Sequence, residues 1–363
     1  MDAGLRRVFV VARPVRVRCP EHGVVTAVVP WAAAAARHTY AFEQKVAWCA
    51  TQMSGTAAAA LLRCSWRAIG AMVARVAAQL AAAAGSDGLD GLTRIGIDEI
   101  SYRRGHRYLV VVVDHDRRRL VWTRAGRDQA SVNAFFDALG AERTAALTHV
   151  SSDAAAWIHR PVTARAPQAI QCADPFHVVR WAGEAVNTVR RQVWNTVRRT
   201  PDQGGGANRP AVGDGKTINI GTWALRKNAA GWTDNQAAAM AWIKINHPVL
   251  HRAWRLKEAL RAVFRHVGIF AVALLDKWIS WARRCRIPAI TDVARKIINH
   301  RAAIEATFIH GLSNALVEST NTKIRLILRR GYGYRDIRAV IALAQLSLGT
   351  TRPTLPYHPQ DQQ

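Results

Sequence analysis

The sequence predicts an α/β fold in which three strands precede alternating helices and strands, in the order βββαβαβα. The first observation is the segment 94–116, where two apolar stretches flank a turn at Gly105. The second is the run 108–113, which is apolar on both faces and typical of a strand buried in the centre of a sheet. The third is the helical periodicity of 217–306, which predicts an all-helical region.

The elements of the α/β region follow from apolar runs that are bounded by turn residues. We expect strands at 94–97, 108–113, 119–123, 146–151 and 169–172, and helices at 128–139, 154–164 and 178–199. Three antiparallel strands before the βα units exclude a plain doubly wound nucleotide-binding fold. Neither a GxGxxG nor a Walker-type loop follows any of these strands. The Gly-rich stretch 201–215 is interpreted as a flexible connector, because no strand precedes it and no Gly-Lys-Ser/Thr follows it.

Three helical runs are predicted upstream, within 41–84. Ser54 breaks the first helical run and is expected to cap the next helix, because a serine hydroxyl accepts a backbone N–H at that position. A further helix at 66–80 carries Arg67 and Arg75. The helix that follows Ser54 and the helix at 66–80 together resemble a DNA-reading helix-turn-helix. A plain three-helix bundle with the same periodicity is the alternative.

Charge is the strongest compositional signal. The 363 residues include 51 Lys plus Arg against 25 Asp plus Glu, a formal net charge of +26. Such an excess is typical of proteins that bind a polyanion, with nucleic acid the first choice and a merely basic, ribosomal-type protein the alternative. No apolar run reaches the roughly 18–20 residues that span a bilayer, and five scattered Cys indicate no disulfide framework. We therefore expect a cytoplasmic protein without a membrane partner.

Cys19 and His22 form a Cys-x2-His pair in a basic, turn-prone setting, which looks like half of a tetrahedral zinc site. The next candidates along the chain, His38 and Cys49, have no usual ligand spacing. We therefore expect no bound zinc, and we interpret the pair as a surface turn or as the remnant of a longer zinc-binding region.

Acidic residues are scarce, so their positions are informative. Asp98, Asp153 and Asp174 each follow an apolar strand, and Glu318 lies on a helix with basic neighbours. Carboxylates from separate segments suit Mg²⁺ or Mn²⁺, and two such ions about 3.5–4 Å apart serve phosphodiester chemistry. For each carboxylate taken alone, a helix cap or a surface ion pair is the alternative. Together, on a chain this basic, they favour metal-dependent phosphoryl transfer on nucleic acid.

The block 308–334 predicts a basic helix that begins near Ser313 or Asn314. Glu318, Asn321 and Arg325 share one face of this helix at spacings i, i+3 and i+7. Its far end is strongly basic, with Lys323, Arg325, Arg329 and Arg330 as candidate DNA contacts. A last helix is expected at 337–348, and the proline-containing segment 350–363 is expected to be disordered.

The stretches GIDEIS, HRYLVVVVDHD, VSSD, DPFHVV and LSNALVESTNTKIRLILRRGYGYR resemble the ISL3 family of insertion-sequence transposases, from about Trp31 to Leu348. The resemblance implies bacterial, nucleoid-associated enzymes with a DDE triad on an RNase H-like fold. It implies DNA as partner, both terminal inverted repeats and target, and a homo-oligomer on that DNA. In that family a zinc-binding segment precedes the helix-turn-helix, and Cys19 and His22 resemble only its second half, which leaves an N-terminally shortened copy open.

The resemblance also assigns roles to the carboxylates. Asp98 matches the first Asp of the triad and Glu318 matches the Glu. The second Asp is contested: Asp153 is favoured because it follows the fourth strand, and Asp174 and His177 are the runners-up. The separation between Asp153 and Glu318 suits a helical insertion inside the catalytic domain.

The domain prediction follows from these assignments. It comprises a zinc-region remnant at 1–40, a helix-turn-helix-like domain at 41–88, an RNase H-like catalytic domain at 89–199 and 307–349, an all-helical insertion at 200–306 and a tail at 350–363. The predicted function is a Mg²⁺- or Mn²⁺-dependent DNA transposase. The alternatives are an inactive, transposase-derived DNA-binding protein and a metal-dependent nuclease.

Overall fold

The computed structural model describes all residues except 1, 4–5, 8–10, 34–36, 86, 200–220, 332–333, 335 and 356–363. The chain divides into two compact units. The first comprises Met1–Ala146 with Ala315–Gln363, and the second comprises Leu147–Asn314. The predicted connector 201–215 and most of the predicted tail lie outside the described residues.

The elements are given in chain order. The first are β1 (Asp2–Ala3), β2 (Arg6–Arg7), β3 (Arg16–Cys19), β4 (Gly23–Thr26), α1 (Tyr40–Gln52), α2 (Gly55–Leu62), α3 (Trp66–Ala83), β5 (Arg94–Arg103), β6 (Arg107–Asp114), β7 (Arg119–Ala125), α4 (Gln129–Leu139) and α5 (Ala141–Ala145). The second unit contains β8 (His149–Ser152), α6 (Ala156–Arg165), β9 (Ile170–Ala173), α7 (Pro175–Arg199), α8 (Asp234–Asn246), α9 (Pro248–Val263), α10 (Gly268–Arg284), α11 (Pro288–Asn299) and α12 (Arg301–His310). The first unit is completed by α13 (Ala315–Arg330) and α14 (Ile337–Leu348).

The architecture is α/β, as the sequence predicts. In the first unit β5, β6 and β7 form an antiparallel meander. The residues Val110–Val113 of β6 are fully buried, which confirms the interpretation of this run as a central strand. In the second unit β8 and β9 pair in parallel, from His149 opposite Ile170 to Ser152 opposite Ala173.

The predicted end of the first strand is wrong. We expected it to stop at Ile97 and to present Asp98 at its end, but β5 continues to Arg103, with Asp98 paired opposite Val111 in mid-strand. The strand continues because Ile100 is buried and pairs with Leu109, so the β5–β6 hairpin gains apolar burial up to its turn. Gly105 in that turn has φ +82°, a conformation that glycine adopts without steric cost.

Helices α1, α2 and α3 pack together with α14 around a shared apolar cluster that includes Val46, Met72, Val73 and Leu343. The Ser54 hydroxyl accepts the Ala57 N–H at 3.1 Å, so the predicted cap of α2 is confirmed. No single helix in the described chain is long and apolar enough to cross a membrane. Helices α2 and α3 pass that test of length and composition only as a pair, and they are bent by 99° where they meet.

The second unit is helical from α7 onward, and its helices enclose one large apolar core. Trp254 and Trp278 lie in that core, and their indole N–H groups donate to the backbone carbonyls of Lys227 and Leu256. Buried tryptophans need such acceptors, so these two rings pack in the core with their polar groups satisfied. Helix α7 begins at Pro175, three residues earlier than predicted, because proline is well tolerated in the first helical turn.

Candidate active site

Asp98 lies on the face of the meander that α13 covers. Side chains alternate between the two faces of a strand, so Asp98 and Ile100 point the same way. Ile100 belongs to an apolar cluster that includes Val317 and Ile324 of α13. These two helical residues are fully buried, and they hold α13 on the sheet beside the Asp98 carboxylate.

The Asp98 carboxylate is 8% exposed and is held by Asn321. The Asn321 Nδ2 donates to Asp98 Oδ2 at 2.9 Å, and the Asn321 side chain is itself 2% exposed. Glu318 lies three residues before Asn321, which is a rise of about 4.5 Å on the same helical face. The first unit therefore brings together Asp98, Asn321 and the helical turn that carries Glu318.

Asp153 lies just beyond β8 and is partly buried. Its Oδ2 is 3.6 Å from His177 Nε2 and 3.7 Å from Arg180 Nη2. Both partners come from the first turns of α7, so this helix places an imidazole and a guanidinium beside the Asp153 carboxylate. Arg180 was not predicted as a neighbour of Asp153, although its position three residues after His177 on the same helix was an available signal.

Asp174 lies between β9 and α7 and is 3% exposed. Its Oδ1 accepts the Phe176 N–H at 3.2 Å, and its Oδ2 lies 2.7 Å from His177 Nδ1. Burial lowers the pKa of His177, but the carboxylates of Asp174 and Asp153 outweigh burial and hold that pKa above its ordinary value. The imidazole thus lies between Asp153, the favoured second aspartate of the triad, and Asp174, its runner-up.

Ser151 and Asn314 form a buried polar pair that sequence analysis did not anticipate. The Ser151 hydroxyl donates to Asn314 Oδ1 at 2.5 Å, and both residues are fully buried. Asn314 was expected, with Ser313, near the start of the basic helix in 308–334, and its side-chain oxygen accepts a hydrogen bond from Ser151 of β8. The buried pair ties β8 to the segment that follows α12.

Among the basic residues predicted to contact DNA, two form contacts inside the first unit. The Arg75 guanidinium pairs with Glu43, whose side chain is almost fully buried, through bonds of 3.1 and 3.2 Å from its Nε. Arg330 Nη2 donates to the carbonyls of Ala50 and Thr51 at the end of α1. These contacts give both residues a structural role, and their assignment as DNA contacts stays a prediction.

The remaining predicted basic residues lie on the surface. Lys323, Arg325 and Arg329 are exposed on α13, and Arg67 lies beside the exposed ring of Trp66.

The Cys-x2-His pair lies at the tip of the β3–β4 hairpin, where Cys19 Sγ is 3.4 Å from His22 Nδ1. Among the described residues, no group of three or more His, Cys, Asp and Glu side chains is placed to hold a metal ion.

Comparison with protein-family models shows the family to which the chain belongs. The ISL3 model for the DDE region, described as "Transposase", matches residues 95–344. The model described as "Helix-turn-helix domain of transposase family ISL3" matches residues 27–77. The chain belongs to the ISL3 transposase family. The family match includes all four candidate acidic residues, Asp98, Asp153, Asp174 and Glu318.

Curated relatives of this ISL3 chain carry the same description. It is 52% identical, over 373 aligned positions, to the transposase for insertion sequence element IS1557 of two Mycobacterium tuberculosis strains, covering 99% of this chain and 84% of the relative. It is 29% identical over 244 positions to the transposase for insertion sequence element IS1001 of Bordetella parapertussis, covering 67% of this chain and 57% of the relative.

The residues around Asp98 suit the divalent cation that DDE-type transposases use. Magnesium is commonly bound through one or two carboxylates, with water and substrate phosphates as further ligands. Asp98 and Glu318 provide hard carboxylate oxygens of this kind. Asn321 Oδ1 is buried and accepts no hydrogen bond within the described part of the chain, so a further oxygen lies beside Asp98 without a donor. The donor chemistry therefore fits a hard divalent ion.

Proposed function

We propose that this ISL3 protein is a DNA transposase that cleaves the ends of an insertion sequence and joins them to target DNA. The observation that carries the proposal is the buried Asp98, held by Asn321 one helical turn from Glu318, in a chain of this family. We assign the strands and helices of the family match to an RNase H-like catalytic domain. The match at residues 27–77 supports a DNA-binding helix-turn-helix.

The proposed catalytic carboxylates are Asp98, Asp153 and Glu318. Two divalent ions, Mg²⁺ or Mn²⁺, would when bound activate the attacking oxygen and stabilise the leaving one. The chain's own residues orient these groups: Asn321 fixes the Asp98 carboxylate, while His177 and Arg180 balance the charge of Asp153. In the first step water breaks a phosphodiester at the element end, and in the second the freed 3′-hydroxyl attacks target DNA.

The contacts of the two candidate aspartates favour Asp153 over Asp174 as the second catalytic residue. Asp174 is more deeply buried, and its two oxygens are engaged by the Phe176 N–H and by His177 at 2.7 Å. Asp153 is more exposed, and its described ion pairs are longer, at 3.6 and 3.7 Å. Asp174 thus serves the start of α7 and the orientation of His177, while Asp153 retains access to a ligand.

Paired substitutions test this assignment. We expect Asp153→Asn to lower strand transfer by about 100-fold or more, because it removes a charge that acts at the reacting centre. Asp174→Asn should lower the thermal unfolding midpoint and reduce strand transfer less. The comparison is made with purified full-length variants at equal concentration. A larger loss of strand transfer in a well-folded Asp174→Asn protein would transfer the role to Asp174.

The role of Asn321 is tested in the same assay. Removal of its donor by Asn321→Ala should lower strand transfer by about 10- to 150-fold, since a hydrogen bond to a charged group contributes about 1.5–3 kcal/mol. Thr322→Ala on the same helix is the matched control, because Thr322 is exposed and bonds only the backbone of its own helix among the contacts described here. Wild-type strand transfer by Asn321→Ala would show that Asp98 needs no support from this residue.

The proposed partners are the terminal inverted repeats and target DNA, bound by a homo-oligomer associated with the bacterial nucleoid in the cytoplasm. The basic chain, with its net charge of +26, supports the choice of a polyanion. Arg67, Lys323, Arg325 and Arg329 are the exposed candidates for phosphate contacts.

The proposed function is tested by incubating the full-length protein with labelled element ends, target DNA and Mg²⁺ or Mn²⁺. Products in which the labelled strand is joined to target are expected. Products that are only cut would favour a metal-dependent nuclease. DNA binding without either product would favour an inactive, transposase-derived binding protein.

A further inference from the structure

A cavity of about 570 Å³ lies in the second unit, against α7. Its lining includes Phe176, Arg180, Arg190, Arg226, Lys257 and Arg261. Its volume lies within the range that ligand sites of proteins occupy. The lining also includes one acid, Glu184, which lies 3.7 Å from Arg180. Five basic residues against this one carboxylate make the cavity suited to an anion.

Two of the arginines face the cavity without a carboxylate partner among the described residues. Arg190 is bonded to Asn187 at 3.0 Å, and Arg226 lies over the ring of Trp223 at 5.1 Å. Burial, together with the charges of Arg226 and Arg191, lowers the pKa of Arg190, so positive charge is concentrated here. An anion placed between Arg190 and Arg226 would relieve this repulsion.

The other cations of the cavity are anchored by their own partners. Lys257 is 5% exposed, donates to the Leu225 carbonyl and lies 2.9 Å from Glu258. Arg261 is paired with the same Glu258. These contacts fix the floor of the cavity and leave Arg190 and Arg226 as the groups available to a ligand.

Phe176 gives the cavity an aromatic surface. Its side chain is 61% exposed, which is unusual for a phenylalanine, and its ring makes an edge contact with His177. An exposed ring beside arginines is the arrangement on which an unpaired base stacks while its phosphate is bound. Arg180 lines the same cavity and lies 3.7 Å from Asp153, so a strand held here lies next to a proposed catalytic carboxylate.

We propose that this cavity binds an unpaired nucleotide of the DNA strand, with the phosphate between Arg190 and Arg226 and the base against Phe176. The inference rests on the proposed function, because it takes DNA as the substrate. The concave shape of the cavity favours one splayed nucleotide over the continuous backbone of a duplex, since a base inside a duplex presents no free face for stacking.

The test measures binding by the full-length protein in EDTA, using fluorescence anisotropy. The probes are a fluorescein-labelled single-stranded oligonucleotide and a duplex of the same sequence. We expect the double variant Arg190→Gln, Arg226→Gln to bind the single strand at least tenfold more weakly. The slope of log affinity against log salt should fall by about 0.7 for each phosphate contact that is lost.

Phe176 supplies an independent arm of the experiment. Because its ring is largely exposed, Phe176→Ala should leave the thermal unfolding midpoint unchanged, yet weaken single-strand binding about tenfold through lost stacking. Phe176→Trp should restore the affinity. The control for the double arginine variant is Arg283→Gln. It removes one exposed positive charge of the same unit outside the cavity lining.

Wild-type affinity and salt slope in the double arginine variant would overturn the proposal. An equal loss in Arg283→Gln would also overturn it, because general electrostatics would then explain binding. An equal loss for duplex and single strand would assign the cavity to duplex backbone and refute the unpaired nucleotide. Binding in EDTA requires no cutting or joining, so a protein that lacks strand transfer can still be tested for binding at the cavity. If the cavity binds no nucleotide, the proposed function is still tested independently by the joining assay.

Discussion

Replacement of Asp98 by Asn is expected to lower strand transfer by about 10³-fold, which corresponds to about 4 kcal/mol in the activation free energy. The substitution is isosteric, and the new amide oxygen still accepts the hydrogen bond that Asn321 Nδ2 donates. The local packing of β5 is therefore retained while the negative charge is removed. Loss of activity would then report on charge at the reacting centre.

The neighbouring acidic residue provides the control for this experiment. Glu99 follows Asp98 on β5, points to the opposite face, and pairs with Arg127 at 3.0 Å. Glu99→Gln should retain strand transfer within a few-fold, because an ion pair with a largely exposed partner contributes about 0–1 kcal/mol. Both variants should bind element-end DNA in EDTA as the wild type does. Wild-type joining by a well-folded Asp98→Asn protein would refute the catalytic assignment of Asp98.

Replacement of Asp114 by Ala is expected to destabilise the first unit by about 3–5 kcal/mol, the cost of leaving a buried charge without its partner. Asp114 ends β6 and is fully buried. Its Oδ1 accepts the backbone N–H groups of Asp116 and Arg117, and its Oδ2 lies 3.2 Å from Arg119 Nε. The change removes the acceptor for all of these donors at once.

The consequence of Asp114→Ala should extend beyond the β6–β7 turn. Arg119 also donates to the Gly88 carbonyl, and Arg117 donates to the carbonyls of Asp90 and Gly91, so Asp114 orders the segment that leads into β5. We expect a fall of about 10 °C in the thermal unfolding midpoint of the unit, given about 2–4 °C per kcal/mol at this size. Faster amide exchange at 88–91 would show the local effect.

Asp116 is the matched control for Asp114, two residues along the same turn. It pairs with Arg94 and Thr93 at the surface, where its side chain is 31% exposed. Asp116→Ala should therefore shift the midpoint by no more than about 4 °C, since exposed ion pairs contribute about 0–1 kcal/mol. Equal midpoints for the two variants would contradict the structural role assigned to Asp114.

Much of the secondary structure followed from local pattern. The Val-rich run of β6, the cap at Ser54 and the bounds of α14 were predicted from apolar spacing and capping chemistry, because these depend on neighbours within a few residues. Element ends were less accurate. The short helix α5 was not expected, and β5 was expected to end six residues too early.

The candidate site was predicted by residue type and position, and the structure supplied the contacts. Glu318 and Asn321 were placed on one helical face from their spacing, but that Asn321 holds Asp98 could not be read from it, because these two residues are 223 positions apart. The ion pair between Arg75 and Glu43 could not be predicted from spacing either, since those residues lie on different helices.

The sequence by itself determined the α/β class, the family and the four candidate acidic residues, because composition, periodicity and short motifs are local properties of the chain. Only the tertiary structure decided which side chains those acids meet. It buried Asp98 in mid-strand, engaged Asp174 at the start of α7 and enclosed a basic cavity beside Asp153. Such contacts join distant segments, and their free energies depend on burial and geometry that no local pattern contains.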